Sequence, residues 1–370
     1  MRNELLLVIV VTAALAFDFT NGFHDTANVV ASSISTRALS PRTAIALASL
    51  LNFAGAFISL KVAATVATGI VDTARVTETI AFAGLVGAIT WNLLTWLYAL
   101  PSSSSHALIG GVVGSMLAAV GGSGVHGQAL IGKVVIPAII SPAVAFAGAG
   151  ISIAIIYVLV ARRRPGVVNR GFRAGQVISG GMLALAHGTN DAQKTMGVIT
   201  LALVANGNLS ANHFHVPTWV VVAAASAIAL GTYAGGWRII RTLGTRIIKM
   251  DTAQGFAAQG AGAAVILASS HFGYPLSTTH VISGGIMGAG AAKRLSAVRW
   301  GVAGNIVLAW MLTLPAAGLF GAGAWWVAHL IGHGALGPLV IAVLALVALA
   351  ALGIVRRMRV AELAPASPGR

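Results

Sequence analysis

Two aspartates dominate the chemistry this sequence could perform. Asp25 and Asp191 are two of only eight acidic residues among 370. Each lies in an apolar stretch within a similar polar run: Gly22-Phe23-His24-Asp25-Thr26-Ala27-Asn28 is answered by Gly188-Thr189-Asn190-Asp191-Ala192-Gln193-Lys194. A carboxylate at membrane depth costs about 2.5 to 3.5 kcal/mol, so keeping one in each run points to cation binding or proton exchange. The plainer use is pairing or capping, and Lys194, three residues after Asp191, shares its helical face. Asn28, Asn190 and Gln193 add amide donors and acceptors suited to an oxyanion or a bare cation. His24 could relay protons near neutral pH. Asp18 has no acidic counterpart in the second run and ranks below these. Gly22 and Gly188 would let each helix break just before its aspartate, exposing backbone groups as ligands.

A second pair of runs supplies hydroxyls. Residues 101–114 read P-S-S-S-S-H-A-L-I-G-G-V-V-G and residues 275–288 read P-L-S-T-T-H-V-I-S-G-G-I-M-G, with six of fourteen positions identical. Proline, then hydroxyls, then an apolar run is the signature of a helix start with Ser or Thr near the N-cap. The free N–H groups and positive dipole end of such a start favour an anion. Two of them could hold a tetrahedral oxyanion between Ser103, Ser104, Ser105 and Ser277, Thr278, Thr279. Ordinary capping and interhelical hydrogen bonding is the bland alternative for either run alone. His106 and His280 follow the hydroxyls at matched positions, and Gly110, Gly111, Gly284 and Gly285 suit close helix packing.

The elements that carry these residues are membrane helices. The chain is 57% hydrophobic and only 8% charged, with a mean hydropathy of +0.88, against about 25% charged residues in soluble domains. Apolar runs of about 20 residues, enough to cross a bilayer as a helix, recur along almost the whole length. The net charge of +15 sits in short loops, such as Arg162, Arg163, Arg164, Arg170 and Arg173, as cytoplasmic loops require; no nucleic-acid partner is expected. The zero cysteine count excludes disulfides and thiolate metal sites. Residues 5–17 have the length of a signal-peptide core but lack a small-residue cleavage site, and are expected to remain as a helix.

Corresponding loops of the two halves differ in basic charge. Arg37 and Arg42 follow the first aspartate run, whereas residues 205–217 after the second hold no Lys or Arg. Lys61 and Arg75, offset by Asp72 and Glu78, stand against Arg238, Arg241, Arg246 and Lys249; Lys133 stands against Lys293, Arg294 and Arg299. By the positive-inside rule the basic side alternates, which is the pattern of an inverted-topology repeat with its site near the midplane. The loops flanking each hydroxyl run lie on one side, so each run is expected at the tip of a re-entrant hairpin. The fold expected is all-α and membrane-integral, two inverted repeats with about 10–12 transmembrane segments including both hairpins. Its divisions are residues 1–160, a basic cytoplasmic loop at 161–174, residues 175–338, a final span and basic end at 339–359, and a disordered tail at 360–370. Trp325 and Trp326 suit interface anchors.

At these motifs the sequence resembles the inorganic phosphate transporter (PiT) family. N-G-F-H-D-T-A-N-V-V-A, H-G-T-N-D-A-Q-K-T-M-G-V-I, G-F-A-A-Q and P-L-S-T-T-H stand in the family's order over nearly the whole chain. The resemblance implies a secondary symporter in which Asp25, Asn28, Asn190 and Asp191 contribute to substrate and cation sites, with the Ser/Thr tips facing them. Gln176 matches a glutamine recurrent in the family. His24 replaces the Asn of symmetric members, and Gln193 with Lys194 replaces a second Ala-Asn, which puts any transfer of sodium sites in doubt.

The function expected is therefore cation-coupled phosphate symport by alternating access, with H+ favoured over Na+ on account of His24 and Lys194, and no other cofactor. A sulfate permease of the same fold is the alternative, since sulfate is a tetrahedral oxyanion of similar size. An intramembrane hydrolase could be argued only from Ser105 next to His106, and adjacency in sequence is poor support for a nucleophile and its base. Free phosphate and a metal–phosphate complex both suit such a site, and a homodimer is compatible with it. A bacterial plasma membrane fits a chain so basic and so fully embedded.

Overall fold

The computed structural model describes residues 3–210, 214–332 and 334–347. It is helical throughout; the β structure among these residues is one isolated bridge, Val71 to Val125. The first half runs α1 (Glu4–Ser35), α2 (Pro41–Gly55), the short α3 (Lys61–Ala64) with a π-helical turn at Thr65–Gly69, α4 (Glu78–Leu97), α5 (Ser104–Val120), α6 (Gly127–Leu130) and α7 (Ile136–Val160). The second repeats that order without a counterpart of α6: α8 (Pro165–Ala205), α9 (Thr218–Ala234), α10 (Trp237–Arg241) with a π-helical turn at Thr242–Arg246, α11 (Thr252–His271), α12 (Thr278–Ala291) and α13 (Trp300–Ile331). A further apolar helix, α14 (Leu336–Val347), follows. The expected final span therefore begins as a helix, while its end and the basic tail lie outside the described residues.

Local signals set the helix starts. Asn3, Thr77, Ser103 and Ser277 each accept a backbone N–H of the first turn of α1, α4, α5 and α12, and Asp251 with Gln254 closes a capping box on α11. Pro165 sits at the first position of α8, where its missing N–H costs nothing. Consequently the expected loop at 161–174 is corrected: only 161–164 lie outside helix, and Arg170 and Arg173 ride on an exposed first stretch of α8. Their charge masked a helical segment that reads as loop by composition.

The helices α1 and α8 run antiparallel. Asn3 at the start of α1 donates its N–H to Asn206 beyond the end of α8, and Thr36 past the end of α1 donates to Gln176 in the first part of α8, at 2.6 Å. Both pass unbroken through their aspartates, so the expected breaks at Gly22 and Gly188 do not occur. The glycines are there for contact instead. A Cβ on Gly22 would lie 2.4 Å from the Ile228 carbonyl oxygen of α9, and one on Gly188 would lie 2.1 Å from that of Asn52 on α2. The first helix of each half thus packs on the second helix of the other. The same crossing recurs farther along. Gly110 and Gly114 of α5 approach the backbone of Leu314 and Gly318 on α13, and Gly284 and Gly288 of α12 approach that of Pro142 and Phe146 on α7.

Helices α4 and α5 form a hairpin whose open ends are tied together, Asp72 N–H to Gly124 at 2.9 Å and His126 N–H to Ile70 at 2.9 Å. The hairpin of α11 and α12 is tied the same way, by Arg299 N–H to Ile247 at 3.0 Å. Ten of the described helices have 14 residues or more. By length and hydropathy alone α1, α4, the α6–α7 stretch and α13 are long and apolar enough to cross a membrane, and α9 joins them if it is counted with the segment bent 60° from it. Side chains such as Leu319, Val158 and Met311 point outward while Asp18, Asp25, Asp191, His24 and His187 lie inside, the inverse of a water-soluble surface.

Candidate functional site

The helices α1 and α8 cross at their aspartates, and the N-termini of α5 and α12 close on that crossing. Asp25 and Asp191, with His187, each bring a ligand atom within 4.8 Å of one another, so these three are the residues that could hold a bare cation. All of the candidates gathered here are at most 3% exposed.

Position for position the halves share roles. Ser104 of α5 sits on Asp25, its hydroxyl 2.5 Å from Oδ2 and also 2.6 Å from Asn21 Oδ1. Thr278, its counterpart on α12, donates to Asp191 Oδ2 at 3.3 Å and lies 3.5 Å from Asp25 Oδ2. One turn past each aspartate, Asn28 donates to Thr279 at 2.9 Å and to Thr278 at 3.3 Å, while Lys194 donates to Ser105 at 2.5 Å. Each half's helix therefore reaches for the other half's hairpin tip. Lys194 also donates to the Leu276 carbonyl at 2.8 Å and forms an ion pair with Asp191. Asp25 has no lysine of this kind; its neighbour is His24, Nδ1 at 2.7 Å from Oδ1, whose Nε2 faces Thr95 at 3.2 Å and Ser102 at 3.4 Å.

Several expected residues take other places. Ser103 and Ser277 spend their hydroxyls capping α5 and α12, accepting from His106 N–H at 3.1 Å and His280 N–H at 3.3 Å. Asn190 donates away from the crossing, to Ser270 at 2.8 Å and the Tyr274 carbonyl at 3.1 Å. Gln193 accepts the Val62 and Ala63 N–H groups at 2.9 and 3.2 Å, and so caps α3. Gln176 is not at the crossing: it lies roughly 22 Å along α8 from Asp191, held by Thr36. His106 and His280 pack edge to face, 4.8 Å between ring centres, and His280 stacks on Trp310. Ser105 turns its hydroxyl to the Leu276 carbonyl at 2.9 Å, not to His106.

His187 and Asn21 also stand at the crossing, though the motifs alone did not single them out. His187 places Nε2 3.1 Å from Asp191 Oδ2 and Nδ1 3.1 Å from Asn52 Oδ1. The signal was available: each stands four residues before its aspartate, one helical turn away on the same face.

The sequence profile described as the Phosphate transporter family matches residues 21–170 and 161–321. The chain is 53% identical over 330 residues to a probable low-affinity inorganic phosphate transporter of Mycobacterium leprae, covering 89% of this chain and 80% of that one. It is 48% identical to a protein of the same description from Rhizobium meliloti, over 88% and 97% of the two chains, and 44% identical to one from Bacillus subtilis, over 88% and 98%. Among solved structures it is similar to one described as a sodium-dependent phosphate transporter, with a TM-score of 0.82 at 23% identity, covering 88% of this chain and 99% of the other.

Proposed function

Since this chain belongs to the phosphate transporter family, we propose that it carries inorganic phosphate across the bacterial cell membrane by cation-coupled symport, with the proton as the favoured cation. The observation that supports this most directly is the meeting of two matched half-sites at one buried centre. Lys194 and the hydroxyls of Ser104, Ser105, Thr278 and Thr279 surround that centre with donors. Phosphate would take these donors, helped by the free N–H groups and positive ends of α5 and α12.

Charge explains why a cation must accompany it. Two carboxylates repel an anion, and Lys194 offsets one of them, so the centre keeps a negative charge at Asp25. Each negative charge moved inward also opposes about 2.3 kcal/mol per 100 mV of membrane potential. The hydrogen-bond count beside Asp25 leaves a place for a proton. Ser104 has a single hydrogen for two acceptors, Asp25 and Asn21, and a proton on Asp25 relieves that shortage. His24 is the adjacent base that could receive it. The sodium dependence of the solved neighbour supports cation coupling and makes sodium the competing ion.

The antiparallel α1 and α8 with their matched successors support two inverted-topology repeats, each with a re-entrant hairpin whose Ser/Thr tip lies at mid-depth. Because the centre is buried on all sides, substrate reaches it only if one group of helices moves relative to the other, which is alternating access. The test is uptake of labelled phosphate into proteoliposomes holding the purified protein, under an imposed proton or sodium gradient. Accumulation driven by protons is expected. Accumulation driven only by sodium would reassign the cation, and sulfate accumulation without phosphate would reassign the substrate.

A further inference from the structure

Asp18 is the buried acidic residue that the site above leaves unused. It lies on α1 two turns before Asp25, and 18, 21, 25 and 28 follow the spacing that puts residues on one helical face. It is fully buried, and among the described residues neither of its carboxylate oxygens makes a hydrogen bond. The side chains of Asn21 and Thr195 border it without a well-directed bond, and the Thr195 hydroxyl is itself buried without a partner among the described residues.

The charges that act on Asp18 are Asp191 and Lys194 of α8, which are already paired with each other. His24 of its own helix turns to Asp25, and His106 of α5 packs on His280. The helix α9, against which α1 packs, has no acidic, basic or histidine residue, and α4 has only Glu78, in its first turn. An ionised carboxylate in such a place costs several kcal/mol uncompensated. The matching position of the second half is Ala184, so packing at this level does not require an acid.

We propose that Asp18 is a proton-binding residue of the transport cycle, distinct from the Asp25 and Asp191 pair. Asn21 lies between it and that pair: its side chain borders Asp18, and its Oδ1 shares the Ser104 hydroxyl with Asp25. Thr195 and Asn21 supply the polar contacts that its ionised form would take up when the proton leaves. A proton on Asp18 removes the charge from the buried carboxyl in the closed arrangement, and its release as the helices move couples proton to phosphate. This rests on the phosphate-transport reading.

The experiment compares the wild type with Asp18→Asn and Asp18→Glu in proteoliposomes, by two readouts. One is exchange of labelled external for unlabelled internal phosphate at equal concentration and pH. The other is proton entry on addition of phosphate, followed with a trapped pH dye. The wild type should do both, and Asp18→Asn should exchange phosphate while losing phosphate-induced proton entry. Asp18→Glu should keep proton entry with a shifted pH midpoint. Wild-type proton entry persisting in Asp18→Asn overturns the inference, as does phosphate uptake by the wild type without proton entry. Should Asp18→Asn fail to fold, an unchanged midpoint in Asp18→Glu overturns it as well. Absence of exchange in the wild type overturns the transport reading itself, which separates the two failures.

Discussion

Lys194 and Asn28 occupy the same position in the two halves, and the difference between them organises the chemistry of the centre. Lys194 compensates Asp191 inside the protein, so Lys194→Gln alone should be strongly destabilising, by about 3–5 kcal/mol, because it leaves the buried carboxylate with only His187 and Thr278 beside it. Thermal unfolding in detergent should show that loss, and adding Asp191→Asn should recover most of it without restoring transport. Asp25→Asn is expected to fold, since its amide can still meet Ser104 and His24, yet to lose phosphate accumulation in the proteoliposome assay. Most of these residues are legible in the sequence because a polar residue in an apolar run is costly and a repeated one is not accidental. Where they are not, the residue has two uses of equal polarity. Ser103 and Ser277 cap while Ser104 and Thr278 face the aspartates, and nothing in the order of a hydroxyl run says which member does which. Gln176 rests only on the family resemblance, and the helix carries it away from the centre.

Glycine is the ambiguous letter for the helices. A glycine before an aspartate is compatible with a broken helix, but also with a neighbour's carbonyl resting on the bare Cα, and α1 and α8 use it the second way. The cost of Gly in a helix, about 1 kcal/mol, is the same in both cases, so propensity does not discriminate. Close contact makes a clear forecast. Gly288→Ala would set a Cβ 2.0 Å from the Phe146 carbonyl and should destabilise by about 1–3 kcal/mol, as overpacking does. Gly122→Ala, with nothing within 4 Å, should unfold at the wild-type temperature. The hairpins, by contrast, are legible as helix starts, because proline followed by Ser or Thr carries its own geometry.

Taken over the whole chain, the charge of the loops carries information that no single helix does. The alternation of basic loops predicts opposed halves; α1 and α8 run antiparallel, from Asn3 against Asn206 to Thr36 against Gln176, and the inverted arrangement of the halves is the proposal to be tested. Because the chain has no cysteine, single substitutions at exposed Ser123 and Ser296 give a clean test with a membrane-impermeant thiol reagent. Ser123→Cys should react from outside intact cells, and Ser296→Cys only after the membrane is opened; labelling of both from one side would refute the inverted arrangement. The likeness of the halves has one further consequence. Were they identical, the conformations open to either side would be the same structure viewed from opposite faces, and a carrier without gradients would rest equally in both. Asp18 against Ala184, His24 against Asn190 and Asn28 against Lys194 remove that degeneracy. On the proposed alternating-access cycle the unloaded protein would therefore have a preferred facing, and its forward and return half-turnovers need not share one barrier.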